Sequence, residues 1–218
     1  MRSLERGMKV TLIDKMGDDT TVVNAARVSF GKRVDKFRKD EDEKLIHYLT
    51  KHNHWSPFSH CFLQFHIEAP IFVARQLAKH QVGLAWNEIS RRYVDTEPEF
   101  YIPTVWRGRP DNKKQGSNEE EIVYNISGTM QYVKQTYLNL LGVGVAPEMA
   151  RMILPQSLMT EWYWSGSIAA FARVVNLRLE EDAQRETQII AQQIYNITKE
   201  HFPISWKYLI LSNCKEGD

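Results

Sequence analysis

The sequence predicts an α+β fold: a small, mostly antiparallel sheet packed with a substantial helical layer, in a single domain spanning residues 1–218. Segments with helical spacing outnumber segments that alternate. The two kinds do not take turns in the strand–helix–strand order that a parallel sheet requires. No repeat or low-complexity tract divides the chain, and 218 residues suit one large domain.

Residues 9–13 (KVTLI) alternate and read as a short strand. Asp18 and Asp19 can cap a helix over 20–28. Residues 31–43 are polar and charged, a loop running into a helix over 41–52, where Leu45, Ile46 and Leu49 share a face. Residues 60–68 (HCFLQFHIE) read as a strand, with Cys61, Leu63, Phe65 and Ile67 on one face and Phe62, Gln64 and His66 on the other. Pro70 sits where a first helical residue belongs, and a helix over 71–80 comes next.

Residues 83–87 look irregular and 88–94 extended. Residues 104–118 hold Gly, Pro and basic residues and read as an exposed loop. Three glutamates then suit the start of a helix over 118–141, ended by Gly142 and Gly144. Pro147 opens a short helix through Leu154. The aromatics at 162–164 suggest core packing. Two more helices are expected over 167–178 and 181–201, with Pro203 closing the last.

The formal net charge is +1, which does not favour nucleic acid or a membrane surface as partner. Anion binding must come from local arginine clusters. Two distant cysteines, Cys61 and Cys214, make no disulfide framework, so a reducing cytoplasm is expected. No apolar run approaches the roughly 20 residues of a membrane span, and the charged residues 1–8 do not read as a signal peptide.

Three clusters could carry chemistry. The stretch 75–93 holds Arg75, Lys79, Arg91 and Arg92 with Gln76, His80, Gln81, Asn87, Glu88 and Ser90. Arg75 and Lys79 are spaced i, i+4, and Ser90 and Arg92 would share a face of an extended segment, so both pairs suit a phosphate. The plainer alternative is a solvated helix end and polar loop. The stretch 52–60 holds His52, His54 and His60, but no carboxylate or cysteine at metal-site spacing, so no metal is expected. Arg151, Arg173 and Arg178 sit in apolar surroundings, facing either a ligand anion or a carboxylate such as Glu180, Glu181 or Asp182. There is no dinucleotide fingerprint, phosphate loop or serine elbow, and Cys61 has no partner expected to activate it as a nucleophile.

In this order the blocks resemble the flavin-dependent thymidylate synthases. The family signature, Arg-His-Arg followed by Ser-x-Asn-Glu-x-Ser-x-Arg-Tyr, is matched by Lys79-His80-Gln81 and then by Asn87 to Tyr93. Residues 25–30 (AARVSF), 54–60 (HWSPFSH), 69–76 (APIFVARQ), 150–155 (ARMILP) and 176–178 (NLR) also read like family blocks. The resemblance implies conversion of dUMP to dTMP with FAD, NADPH and methylenetetrahydrofolate, without an enzyme nucleophile, in a homotetramer whose active sites are shared between subunits. It implies that Arg178 is catalytic and meets the uracil edge. Arg75, Gln76, Lys79, Glu88, Ser90, Arg91, Arg92 and Arg151 would line the dUMP site. Ser29, His54, Ser56, Lys79, His80, Gln81, Asn87, Glu88, Ser167 and Arg173 would lie along FAD.

The chain departs from the pattern chiefly at the flavin positions. Lys79 and Gln81 replace two arginines, the spacer before Asn87 is one residue longer, and its serine has become Leu84 or Ala85. Ser59 stands for an acidic residue, Ser167 and Ala169 for Asn and Arg, and Arg173 for Asn. Losing the arginine at Gln81 removes a charge-assisted contact of about 1.5–3 kcal/mol. Arg173 is a candidate to restore it.

Overall fold

The computed structural model describes residues 7–111 and 116–211. Cys214, Lys113 and Lys114 lie outside the described residues, as does the middle of the 104–118 segment. Four antiparallel strands, β1 (Lys9–Met16), β2 (Phe62–Pro70), β6 (Met159–Ser167) and β3 (Leu84–Glu88), form the main sheet in that spatial order. Strand β1 (Lys9–Met16) outruns its expected end because a bulge between Leu12 and Asp14 lets pairing with β2 continue.

Strand β2 (Phe62–Pro70) keeps the expected alternation, with Leu63, Phe65 and Ile67 buried and Phe62 exposed. His60, expected at its start, instead ends a 3₁₀ turn over Ser56–His60. Along its whole length β2 pairs with β6 (Met159–Ser167). Pattern reading misses β6, and its aromatics do not all pack inward. Trp162 and Trp164 are buried while Tyr163, between them, is 47% exposed on the other face. Strand β3 (Leu84–Glu88) corrects the reading of 83–87 as irregular. Conversely, residues 88–94 are not extended: the chain turns after Glu88, with the Ser90 carbonyl accepting from the amides of Tyr93 and Val94.

Helix α1 (Asp19–Arg27) is capped by Asp18, whose side chain accepts from the Thr21 amide at 2.9 Å. Helix α2 (Lys39–Lys51) starts two residues before its expected bound. Helix α3 (Ile71–Leu77) stops short of His80, so Lys79 lies beyond the helix that carries Arg75. The segment after residue 118 first contributes strand β5 (Glu121–Ile122), which pairs with β4 (Trp106–Arg107). Helix α4 (Ser127–Gly142) comes next, then α5 (Pro147–Ala150) and a 3₁₀ turn through Ile153.

Helices α6 (Ile168–Arg178) and α7 (Arg185–His201) belong to the core on one sheet face, where Phe171 packs edge-on against Phe65 and Trp164. Pro203 opens a further helix, α8 (Pro203–Leu209), where a stop was expected. Its N-terminus is satisfied from a distance: the Asp19 carboxylate accepts from the amides of Ile204 and Ser205 at 2.9 and 2.8 Å. Among the described residues no helix is long and apolar enough to cross a membrane.

Candidate functional site

The candidate residues gather in three places. A groove of about 1270 Å³ lies where β3 ends, β6 and β1 begin and β2 ends. Glu88, Ser90, Arg91, Arg92 and Arg151 line it. Glu88 leaves the sheet edge with its carboxylate held: one oxygen accepts from the Thr160 hydroxyl at 2.7 Å and the other from the Trp86 indole N–H at 3.2 Å. The Trp86 ring stacks on buried Trp162 at 4.4 Å. Ser90 and Arg92 meet through a turn rather than along a strand, with the Ser90 Oγ accepting from the Arg92 Nε at 3.3 Å. Arg91 donates to the carbonyl of Thr96, which also lines the groove. Arg151 donates to the Glu148 carbonyl at 3.3 Å and is exposed.

The second place joins the ends of α3 and α6. Arg178 donates from Nε to His80 Nε2 at 3.0 Å and from Nη2 to the Gln76 carbonyl at 3.4 Å. Among the described residues no carboxylate forms an ion pair with Arg178, so of the two alternatives the one in which Glu180, Glu181 or Asp182 pairs with it is not seen; Glu180 acts on it only as a nearby charge. Accepting from an arginine requires a bare His80 Nε2 and hence a neutral ring. Burial, then the Arg178 and Arg173 charges, hold the His80 pKa below its ordinary 6.5. The Gln76 side chain is engaged within the chain, donating to Gln184 and accepting from the Thr187 hydroxyl. Arg75, Lys79, Gln81 and Asn87 are exposed and line neither groove.

The depressed His80 pKa sets a pH dependence. Below about 6.5 an unfolded histidine takes up a proton that the folded ring resists. Its contribution to stability is therefore complete above that pH and falls as pH drops. A protonated ring also cannot accept from Arg178. His80→Gln keeps an acceptor without titrating, so it is expected to flatten the acid side of the melting-temperature profile. An NMR titration placing His80 above 6.5 would contradict this.

The third place is a cavity of about 1020 Å³ at the opposite end of the sheet, where His54, Ser167 and Arg173 converge with Trp55, Phe58 and Phe62. The Ser167 hydroxyl is already used, capping α6 by accepting from the Ala170 amide at 3.2 Å. Arg173 donates to the Val82 carbonyl at 2.7 Å. Ser29, on an exposed turn after α1, and exposed Ser56 lie outside this cavity. Gly166 shapes the wall, because a Cβ there would lie 2.5 Å from both the Gly83 carbonyl oxygen and Leu84 Cδ2. Gly166→Ala is expected to cost about 1–3 kcal/mol by forcing β3 outward. Thermal melting checks this; an unchanged midpoint would refute it.

Cys61 is buried, and desolvation pushes its thiol up to about 12, so it stays protonated. Among the described residues no three His, Cys, Asp or Glu side chains converge as a metal site, and His52 and His54 group with Tyr48 in an aromatic cluster. The participants that sequence reasoning misses, Thr160, Trp86, Tyr101, Gln184 and Glu186, depend on contacts across the fold. Only Trp86, two residues before Glu88 in the same strand, carries a local signal.

Fold and site together define an α+β protein with a polar groove lined by both arginines and carboxylates and a separate, more apolar cavity, both large enough for organic ligands. Residues 11–204 match the family described as thymidylate synthase complementing protein. A flavin-dependent thymidylate synthase of Thermus thermophilus (strain ATCC 27634 / DSM 579) is 42% identical over 207 residues, covering 93% of this chain and 75% of that protein. One from Thermosipho africanus (strain TCF52B) is 41% identical over 207 residues, covering 92% and 89%. A crystal structure of the UMP/dUMP methylase PolB from Streptomyces cacaoi, bound with 5-Br dUMP, superposes with a TM-score of 0.81 at 28% identity, covering 92% of this chain and 94% of that one. The chain belongs to the flavin-dependent thymidylate synthase family, and so to the methyltransferases.

Proposed function

We propose that this protein methylates dUMP to dTMP, taking the one-carbon unit from methylenetetrahydrofolate and reducing equivalents from NADPH through bound FAD. The observation that carries this reading is Arg178, an arginine outside any ion pair among the described residues, held by neutral His80. Such a guanidinium is suited to negative charge on a pyrimidine ring. Ser90, Arg92 and Arg151 would bind the phosphate, and Glu88, with both oxygens oriented, would accept from a nucleoside donor. Arg75, Gln76, Lys79 and Arg91 complete the proposed dUMP set, Gln76 by placing Arg178.

The second cavity suits a flavin. Trp55, Phe58 and Phe62 offer flat apolar walls, and His54, Asn53 and Arg173 offer polar contacts. Arg173 keeps N–H groups beyond the one given to Val82, and would supply the charge that Gln81 lacks. Ser29, Ser56, Lys79, His80, Gln81, Asn87, Glu88 and Ser167 are the other proposed contacts. A bound flavin would supply the redox chemistry and carry the one-carbon unit. The protein's part is to hold the uracil edge on Arg178, bind the phosphate and exclude water. The protonated, buried Cys61 accords with a route that needs no cysteine nucleophile.

Three separated patches on one protomer also accord with an assembly that brings them together. We therefore propose a homotetramer, with Phe62 and Tyr163 on the uncovered sheet face as candidate contacts. A cytoplasmic location is proposed with the reaction. Purified protein is expected to show flavin absorbance with added FAD, release tritium from 5-labelled dUMP only when NADPH and methylenetetrahydrofolate are present, and sediment as a tetramer. Protein that ignores FAD and releases no tritium would overturn the reading.

A further inference from the structure

We propose that Glu186 is a positioning residue that sets the direction of a hydrogen-bond chain from the main groove to Arg178. This rests on the reading that Arg178 meets the pyrimidine. Glu186, at the start of α7, is only 4% exposed. Its carboxylate accepts from Arg107 Nη2 at 2.8 and 2.9 Å, from the Tyr101 hydroxyl at 3.4 Å and from Gln184 Nε2 at 3.1 Å.

The carboxylate forces the polarity of every later link. It can only accept, so Gln184 must turn its NH₂ toward Glu186 and its oxygen away. That oxygen accepts from Gln76 Nε2. Gln76 must then present its own oxygen to the Thr187 hydroxyl, at 3.2 Å. With its amide fixed at both ends, Gln76 holds its backbone carbonyl under Arg178 Nη2. On the other side Tyr101 lines the main groove. Burial, then the Glu186 charge, push its hydroxyl up to about 12, so it remains a donor. Arg107 ties in the β4–β5 hairpin and is itself held by Ser117 at 2.9 Å.

A buried ion pair is a weak stabiliser compared with apolar packing of the same volume. Directing an amide chain is something apolar packing cannot do. Glu186→Gln can donate as well as accept, so the chain loses its direction. Gln184→Met leaves the Arg107–Glu186 pair intact and removes both bonds of Gln184, to Glu186 and to Gln76, so the chain is cut between them.

The first readout is the NMR titration of His80 in ligand-free protein, independent of any activity. In both variants a less fixed Arg178 depresses His80 less, so its pKa should move up toward 6.5. The Gln184→Met melting temperature should stay near the parent's. The second is dUMP turnover, expected to fall about tenfold in each variant, with the double variant no worse than the poorer single, because both act on one chain. An unmoved His80 titration in Gln184→Met overturns the proposal, and so do single losses that multiply. If the parent releases no tritium from dUMP, the proposed reaction fails, and the His80 titration still decides this inference.

Discussion

Arg178→Ala is expected to slow dUMP methylation by about 100- to 1000-fold, the loss typical of removing one charge-stabilising donor from a reacting centre. Arg178 is half-buried and outside any ion pair among the described residues, so its removal strands no buried carboxylate and the melting temperature should change little. Arg178→Lys is expected to recover almost nothing. Arginine spends Nε on His80 and Nη2 on the Gln76 carbonyl, leaving further N–H groups of a rigid fork for the ligand. A lysine ammonium cannot span those two anchors and still face the substrate. Single-turnover tritium release separates chemistry from product release. A rate for Arg178→Ala within fivefold of the parent would remove Arg178 from the catalytic role.

How much of the fold is legible in the sequence depends on a physical rule. Strand β2 is legible because one face is buried and the other is not, so Leu63, Phe65 and Ile67 alternate with polar residues. Strand β6 is not, because Tyr163 on the uncovered face is as aromatic as Trp162 and Trp164 on the buried one, and the alternation vanishes. Strand β3 is lost with it. Its extended form comes from pairing with β6, and its neighbour Gly166 gives no sign of how closely the Gly83 carbonyl passes. Pro203 looks like a stop because the carboxylate that satisfies the next helix's first amides belongs to Asp19, at the far end of the chain.

The same rule governs the site. Family resemblance names Glu88, Ser90, Arg92 and Arg151, and these do share a groove. It gives no hint that Thr160 orients Glu88, since that contact crosses from β3 to an unread strand. It places Gln76 and Arg178 together, but cannot show that the Gln76 amide is used up by Gln184 and Thr187. Residue types are local properties, whereas hydrogen-bond directions are settled by partners far away in sequence.

The second large effect is on stability, at Asp42. Its carboxylate is fully buried, pairs with Arg27 at 2.6 Å, and accepts from the Arg38 backbone amide at 2.6 Å, closing the first turn of α2. The Arg27 Nη1 already has no partner among the described residues, so losing Asp42 would leave a nearly buried guanidinium without a counter-charge. Breaking a buried pair on one side costs about 3–5 kcal/mol, and for a chain of this size each kcal/mol lowers the midpoint by roughly 2–4 °C. Asp42→Leu is therefore expected to melt about 6–20 °C lower. Adding Arg27→Met should restore much of the loss, because the stranded charge goes with it. Calorimetry on the two variants checks both, and a double variant as unstable as the single would refute the stranded-charge account. The consequence reaches the site: α2 runs from this ion pair to Leu49 and Thr50 on the wall of the second cavity. Flavin affinity should then weaken in Asp42→Leu at temperatures well below its melting point, and recover in the double variant.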